Sequence, residues 1–445
     1  MESALVVGLG VTGRSVATAL RAHGVDVVAV DDHPTDAMRA AAASIGVSLV
    51  ESPSGPELRA LVDAADVVLP APGVPETHPV FEAIRDADAR LLSEFDLARL
   101  WDDRPFVAVT GTDGKTTVTT LITDMLVASG VRAVACGNLD TPFVEAIDDP
   151  SVEVFVVEAS SFRLATTEEF LPAVAVWLNF APDHLDAHSS IASYERAKAR
   201  IWADLDETRG LAIVNAEDPV VLANRNPSVE TRTFAVHDAE ADACVVDGVL
   251  RLPDGTALLA VDELPRNFPH DLSNALAAAL AALAMGATLE GVRAVLRGFT
   301  GLPHRVRSIG RVGDVEWFDD SKATTPHAVA SAVSAFESVV LIMGGRNKGL
   351  DLAPLASLVP PVRAVVAMGE AADEVAAAFD GVCPVRVVRT DIVDVVAAAA
   401  SSAVPGDVVL LSPGCTSFDW FDSYAMRGDA FAAAARSLPA FEAVG

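Results

Sequence analysis

The chain has 445 residues, a formal net charge of −30 at pH 7 and 51% hydrophobic residues. That apolar content excludes a generally disordered chain, and the length leaves room for two or three domains with substantial cores. The charge argues against sequence-independent binding of nucleic acid or an anionic membrane, which need clustered Lys and Arg, so a phosphate-bearing partner must be held at a local site.

No basic region precedes the apolar MESALVVGLG, and the longest apolar run, ALAAALAALAMGA at 275–287, is too short to span a bilayer. The expectation is a cytoplasmic protein without membrane insertion. Cys136, Cys244, Cys383 and Cys415 show no paired spacing, which suggests neither a disulfide framework nor a zinc ribbon. Only four lysines occur, Lys115, Lys198, Lys322 and Lys348, against 28 arginines. Lysine offers a compact point charge for phosphate and an amine that burial can make reactive, so the positions that keep it point at chemistry.

Runs rich in Val, Leu and Ile alternate with helical patterns, the signature of an α/β protein with mostly parallel sheets. The first unit, residues 1–100, carries the strands ALVVGLG, VDVVAVDD and DVVLPAPG and ends before LWDDRP, which reads as a polar linker. Gly8, Gly10 and Gly13 are spaced as G-x-G-x-x-G between a strand and a helix, and Asp31 and Asp32 end the next strand. The glycines let backbone approach a diphosphate at a helix N-terminus, while a carboxylate at that strand end can accept from a ribose or base. NAD and a UDP-sugar satisfy this geometry equally.

The second unit, 101–300, opens on the strand PFVAVT, followed by GTDGKTT at 111–117 and a helical VTTLITDMLVASG. Strand, glycine-bounded turn and helix make a phosphate-binding loop in which Lys115 reaches the outer phosphates and Thr116 holds Mg²⁺. The spacing is a shortened variant of G-x-x-x-x-G-K-[ST], because Val109 stands where the first glycine would be. Glu158 ends the apolar strand VEVFVVE, where a carboxylate needs a cation, and Mg²⁺ beside a nucleoside triphosphate is the natural one. Asn179, Asp183, His184 and Asp186 fall on the loop after VAVWL, at the edge where open α/β sheets bind ligands. Lys198 lies on a helix with Arg196 and Arg200; a neutral lysine amine can take up CO₂ and become a metal-binding carbamate, chemistry that arginine lacks. The third unit, 301–445, repeats strand and helix through SVVLIMGG, VRAVVAMGE, PVRVVRT and DVVLLSP.

Taken in order, VVGLGVTGRS, TGTDGKTT, EASSFRL, LNFAPDHLD, YERAKARI, NAED, FTGLPHR, DDSKAT, LIMGGRNKG and LLSPGCTSFDWFDSYAMRG resemble the Mur ligases of peptidoglycan synthesis over essentially the whole chain. The C-terminal LLSPGCTSFDWF with MRG is similar to the D-glutamate-adding members in particular. The resemblance implies a Rossmann-like N-terminal domain for the UDP of the substrate, a central P-loop domain for ATP and two Mg²⁺, and a Rossmann-like C-terminal domain for the incoming amino acid. It implies an ATP-dependent ligase that activates UDP-N-acetylmuramoyl-L-alanine as an acyl phosphate and joins it to D-glutamate, acting as a monomer. By motif match, Gly111, Thr112, Asp113, Gly114, Lys115, Thr116 and Thr117 fall in the ATP loop, and Asn274, Arg305, Asp320 and Lys322 at further nucleotide contacts. Thr116, Glu158, His184 and carbamylated Lys198 fall at the metal sites. Lys115, Lys198, His184 and Glu158 form the catalytic set. Gly8, Gly10, Gly13, Asp31, Asp32 and Asn138 fall on the UDP-substrate side, and Lys348, Ser417, Phe418 and Tyr424 at the D-glutamate pocket.

Five positions depart from the family pattern: Asp113 for Asn, Arg163 where SSFQ is usual, Asp271 where HN is usual, Thr325 in DDSKATTP, and Arg307 after the HR pair. None removes a catalytic group. The competing readings are a Mur-type ligase for a different amino acid and, from another class, a dinucleotide-binding oxidoreductase or sensor, which leaves the phosphate loop unexplained.

Overall fold

The computed structural model describes residues 1–184 and 187–443. Among these, residues 1–180, 187–267 and 271–299 form one compact unit and 181–184, 268–270 and 300–443 a second.

The first unit contains three sheets. Strands β1 (Ser3–Val7), β2 (Asp26–Asp31), β3 (Ser48–Glu51), β4 (Val67–Pro70) and β5 (Arg90–Leu91) build an all-parallel sheet in the order β3-β2-β1-β4-β5. Strands β6 (Phe106–Thr110), β7 (Ala133–Gly137), β8 (Val154–Glu158), β9 (Val174–Trp177), β10 (Leu211–Asn215) and β11 (Glu230–Phe234) form a second parallel sheet, ordered β11-β10-β9-β6-β8-β7. Its central strands are buried on both faces and apolar up to Thr110 at the end of β6 and Glu158 at the end of β8, as parallel sheets covered by helices require. A small antiparallel sheet joins β12 (Cys244–Val246), β13 (Val249–Arg251) and β14 (Ala257–Ala260).

Five helices of this unit position functional side chains: α1 (Val11–Ala22), α2 (Glu94–Trp101), α3 (Lys115–Ala128), α4 (Ser161–Ala165) and α5 (Ile191–Ala199). The segment read as a polar linker at 100–105 is held on both sides. Leu97 and Ala98 of α2 share one core with Phe106, Phe143, Phe155 and Phe170, and Arg104 ties Asp102 to the carbonyls of Ile147, Asp149 and Val152. Aromatic burial overrides the Pro-ended, charged spacing seen in the sequence.

The second unit holds β15 (Arg307–Val312), β16 (Val315–Asp319), β17 (Val339–Gly344), β18 (Val362–Met368), β19 (Val385–Val388), β20 (Val408–Leu411) and β21 (Phe441–Ala443) in the order β19-β18-β17-β20-β16-β15-β21. The sheet is parallel through its middle, while β15 runs antiparallel to both β16 and β21. Two helices matter below: α6 (Pro269–Ala284), whose residues belong partly to each unit, and α7 (Tyr424–Arg436). Among the described residues no helix is long and apolar enough to cross a membrane.

Candidate active site

The glycine turn after β1 works by close packing. Gly8 has φ +88°, and a Cβ at Gly13 would fall 1.9 Å from the Gly8 carbonyl oxygen, so only glycine brings α1 that near the turn. A Cβ at Gly10 would meet nothing; this residue faces a cleft of about 780 Å³, also lined by Gly8, Asp31, Asp32, His78, Asn138 and Arg163. Asp31 turns inward: its carboxylate accepts from the amides of Leu9 at 2.8 Å and His33 at 2.9 Å and so fixes the turn. Asp32 is the more exposed of the two and lies 2.9 Å from His78 Nε2, a partner that spacing alone does not reveal.

The phosphate loop follows β6 at the carboxyl edge of the second sheet. Gly114, with φ +83°, caps α3, and a Cβ there would sit 2.7 Å from Asn274 Oδ1, which brings the α6 asparagine against the loop. Asn179 clamps the loop backbone, its Oδ1 accepting from Asp113 N at 2.9 Å and its Nδ2 donating to Asp113 O at 3.1 Å. Lys115, the first residue of α3, donates from Nζ to the carbonyls of Gly111 and Thr112, both at 2.8 Å. An ammonium at a helix N-terminus opposes the helix dipole. Its partners here are carbonyl dipoles, an arrangement that an anionic ligand would complete.

Beside it, β8 pairs with β6 so that Glu158 stands opposite Val109 and, on its other side, opposite Gly137 of β7. Glu158 is 2% exposed; its Oε1 accepts from Asn138 Nδ2 at 2.9 Å, and its Oε2 is buried without a hydrogen-bond partner. A bare carboxylate oxygen in such a place is costly. Mg²⁺ fits it, because that ion takes one or two carboxylates and completes its shell with phosphate oxygens, hydroxyls and water. Among the described residues no group of three His, Cys, Asp or Glu side chains converges as a metal cluster.

Lys198, on α5, is 1% exposed, donates to the Gly111 carbonyl at 2.7 Å and lies 4.6 Å from the centre of the Tyr194 ring. The Tyr194 hydroxyl is 3.2 Å from Thr112 Oγ1, so α5 backs the phosphate loop through two side chains. A buried network that sequence reasoning missed secures this helix. Glu76 accepts from Ser189 N at 3.0 Å and Ser193 Oγ at 2.9 Å and lies 2.7 Å from His188 Nδ1, whose other ring nitrogen is 2.9 Å from Ser161 Oγ. Glu76 belongs to the loop after β4, some 110 positions away in sequence, and no local pattern links them.

In the second unit, Asp183 pairs with Lys348 and lies 3.3 Å from His184 Nε2, while His184 itself adopts φ +56°. Asp186 lies outside the described residues. Asp320 is buried; burial pushes its carboxyl up to about 8 although Ser412 Oγ donates to it at 2.8 Å and Val306 N at 3.2 Å. Lys322 Nζ stands 3.9 Å from the centre of the Tyr424 ring, at the start of α7. Ser417 is buried, Phe418 is exposed, and Arg305 lies between His304 and Val306, both with positive φ. The neighbouring Asp319 carboxylate, 2.7 Å from His304 Nδ1, raises the imidazole above its ordinary range. Buried Arg427, also not read from the sequence, binds Ser321 and the Cys415 carbonyl and pins α7 beneath these residues.

Three of the departures have local explanations. Asp271 pairs with Arg266 at 3.1 Å, Thr325 caps the helix Pro326–Val333 by accepting from Ala328 N at 3.2 Å, and Arg163 pairs with buried Glu94 at 2.7 Å. Arg307 is exposed on β15, and nothing in the structure explains it.

Fold and site define an α/β protein in which a glycine turn beside a cleft and a glycine–lysine loop between strand and helix lie in the same unit. Comparison with known proteins makes this specific. The MurD-like N-terminal domain of Mur ligases matches residues 2–93, the Mur ligase middle domain 109–282 and the Mur ligase glutamate ligase domain 304–415. The UDP-N-acetylmuramoylalanine–D-glutamate ligase of Frankia casuarinae is 41% identical, covering 97% of this chain and 93% of the relative. That of Desulfosudis oleivorans is 38% identical over 98% and 96%. The chain belongs to the Mur ligase family. Solved structures agree on the fold: a pseudomurein peptide ligase type C from Methanothermus fervidus (TM-score 0.58, 18% identity, 93% of this chain and 97% of that one) and UDP-N-acetylmuramate-alanine ligase MurC from Thermotoga maritima (0.57, 18%, 97% and 98%).

Proposed function

We infer that the chain is an ATP-dependent ligase that joins D-glutamate to UDP-N-acetylmuramoyl-L-alanine in peptidoglycan precursor synthesis. The observation that carries this reading is the juxtaposition, on neighbouring strands, of a phosphate loop whose lysine has carbonyl partners and a buried carboxylate with a bare oxygen. Relatives of that name, 38% and 41% identical over nearly the whole chain, supply the substrate class. The proposed division is 1–100 for the UDP substrate, 101–300 for ATP and metal, and 301–445 for the amino acid, in a cytoplasmic monomer.

In this reading the cleft beside Gly10 takes the UDP group, with Asp32 and His78 at its rim and Asn138 towards the reacting end. Gly111 to Thr117 wrap the ATP phosphates, and Asn274 approaches from α6. Lys115 leaves its carbonyl partners for the outer phosphates and offsets charge gathering on the transferred phosphoryl group. Thr116, Glu158, His184 and carbamylated Lys198 hold two Mg²⁺, whose contribution is to neutralise phosphate charge and align donor with acceptor. The carbamate forms when the neutral Lys198 amine adds to CO₂ and releases a proton. The substrate carboxylate attacks the γ-phosphorus, ADP leaves, and the amine of D-glutamate displaces phosphate from the acyl phosphate through a tetrahedral intermediate. Arg305, Asp320 and Lys322 complete the nucleotide contacts. Lys348, with Ser417, Phe418 and Tyr424, forms a local cationic pocket for a dicarboxylate in an acidic chain, and Lys348 exchanges Asp183 for substrate.

Purified protein is expected to release phosphate only when ATP, Mg²⁺, UDP-N-acetylmuramoyl-L-alanine and D-glutamate are all present. Equal turnover with L-glutamate or another amino acid would refute the D-glutamate assignment. NADH oxidation without ATP use would refute the ligase.

A further inference from the structure

Arg163 is 5% exposed and uses its guanidinium in three directions: Nε donates to Glu94 Oε2 at 2.7 Å, Nη1 to Asn138 Oδ1 at 2.8 Å and Nη2 to Thr12 Oγ1 at 2.9 Å. Glu94 is 4% exposed and its other oxygen accepts the Phe143 amide, so the ion pair is saturated and fixed in the core. Such a fork is beyond lysine, and a glutamine would leave the Glu94 charge buried without a cation.

The consequence falls on Asn138. Its Oδ1 must face Arg163, because the reversed amide would set two donors against each other. Its Nδ2 is thereby turned to Glu158, where it occupies Oε1 and leaves Oε2 bare. At the other end Thr12, in the first turn of α1, lines the nucleotide cleft together with Arg163 itself. A continuous polar chain, Thr12–Arg163–Asn138–Glu158, therefore runs from that cleft to the carboxylate at the end of β8.

We propose that Arg163 is a positioning residue of the ligase: by fixing the amide of Asn138 it determines which oxygen Glu158 offers to a divalent cation, and it ties that choice to the wall of the nucleotide cleft. The proposal rests on the reading of Glu158 as a cation-holding residue.

Two neutral double variants test it without leaving a buried charge. Arg163→Met with Glu94→Gln removes the donor to Asn138, whereas Arg163→Gln with Glu94→Gln restores an N–H in that direction. Mn²⁺ affinity is measured by electron paramagnetic resonance in the presence of a non-hydrolysable ATP analogue, alongside kcat and KM. The Met variant is expected to lose about 10- to 100-fold in both Mn²⁺ affinity and kcat, with KM for D-glutamate unchanged, and the Gln variant to regain most of each. A folded Met variant that keeps wild-type Mn²⁺ affinity and kcat would overturn the proposal. If the Met variant does not fold, Arg163→Lys, which keeps a charge beside Glu94 but lacks the fork, decides on the same two readings. Glu158→Gln separates the layers: unchanged Mn²⁺ affinity there refutes the cation site itself, while loss there with no loss in the Arg163 variants refutes only the positioning role.

Discussion

Lys115→Ala is expected to reduce kcat by about 100- to 1,000-fold, the usual effect of removing one pre-organised charge from a developing anion in a water-poor site. The fold should tolerate the change. Lys115 begins α3, its Nζ donates only to the carbonyls of Gly111 and Thr112, and a cation at that end of a helix is unfavourable to begin with. Thermal unfolding of Lys115→Ala should therefore match or slightly exceed wild type, with stability shifted by no more than about 1 kcal/mol, while steady-state phosphate release collapses. Lys115→Arg should recover little, because a planar guanidinium does not occupy the place of a compact ammonium that caps two carbonyls. An active Lys115→Ala enzyme would remove the phosphate loop from the mechanism.

The second large effect belongs to Lys198. Its ammonium is enclosed and donates to the Gly111 carbonyl at 2.7 Å, so deletion disturbs the phosphate loop as well as any metal ligand. Activity alone would not separate those roles. Lys198→Ala is expected to lose about 100-fold or more, and a small carboxylic acid such as acetate or formate should restore part of it by standing in for the carbamate oxygens. Lys198→Arg should stay inactive with or without the acid, since arginine fills the space and cannot add CO₂. An active Lys198→Arg enzyme, or a Lys198→Ala enzyme indifferent to added carboxylate, would refute the carbamate and leave the residue a purely structural donor.

What could be read from the sequence divides along contact range. The loop Gly111–Thr117 was legible because glycines, lysine, flanking strand and helix lie within about one turn of each other, and because a phosphate loop works through local backbone. Glu158 was legible because an acid ending an apolar strand is anomalous by itself. The Arg163 junction was not, although Arg163 stood out as a departure: its partners Thr12, Glu94 and Asn138 are separated from it by 151, 69 and 25 positions. The Glu76–His188–Ser161 network was hidden for the same reason. Asp31 shows a different limit. Its place at a strand end suggests a ligand contact; it lines the cleft and also accepts two loop amides, a second role that composition does not reveal. Strands β15, β16 and β21 escape the sequence because charged positions interrupt them, so they lack the unbroken apolar run that marks β17, β18 and β20.

In the proposed reaction ATP activates the carboxylate of the UDP-linked substrate before the amine attacks. Enriching that carboxylate in a heavy oxygen isotope and analysing the released phosphate by mass spectrometry tests this directly. One heavy oxygen should appear in phosphate for each amide bond formed, because the acyl phosphate carries its bridging oxygen away. Phosphate free of the label, in a reaction that still forms the amide, would rule out activation through an acyl phosphate.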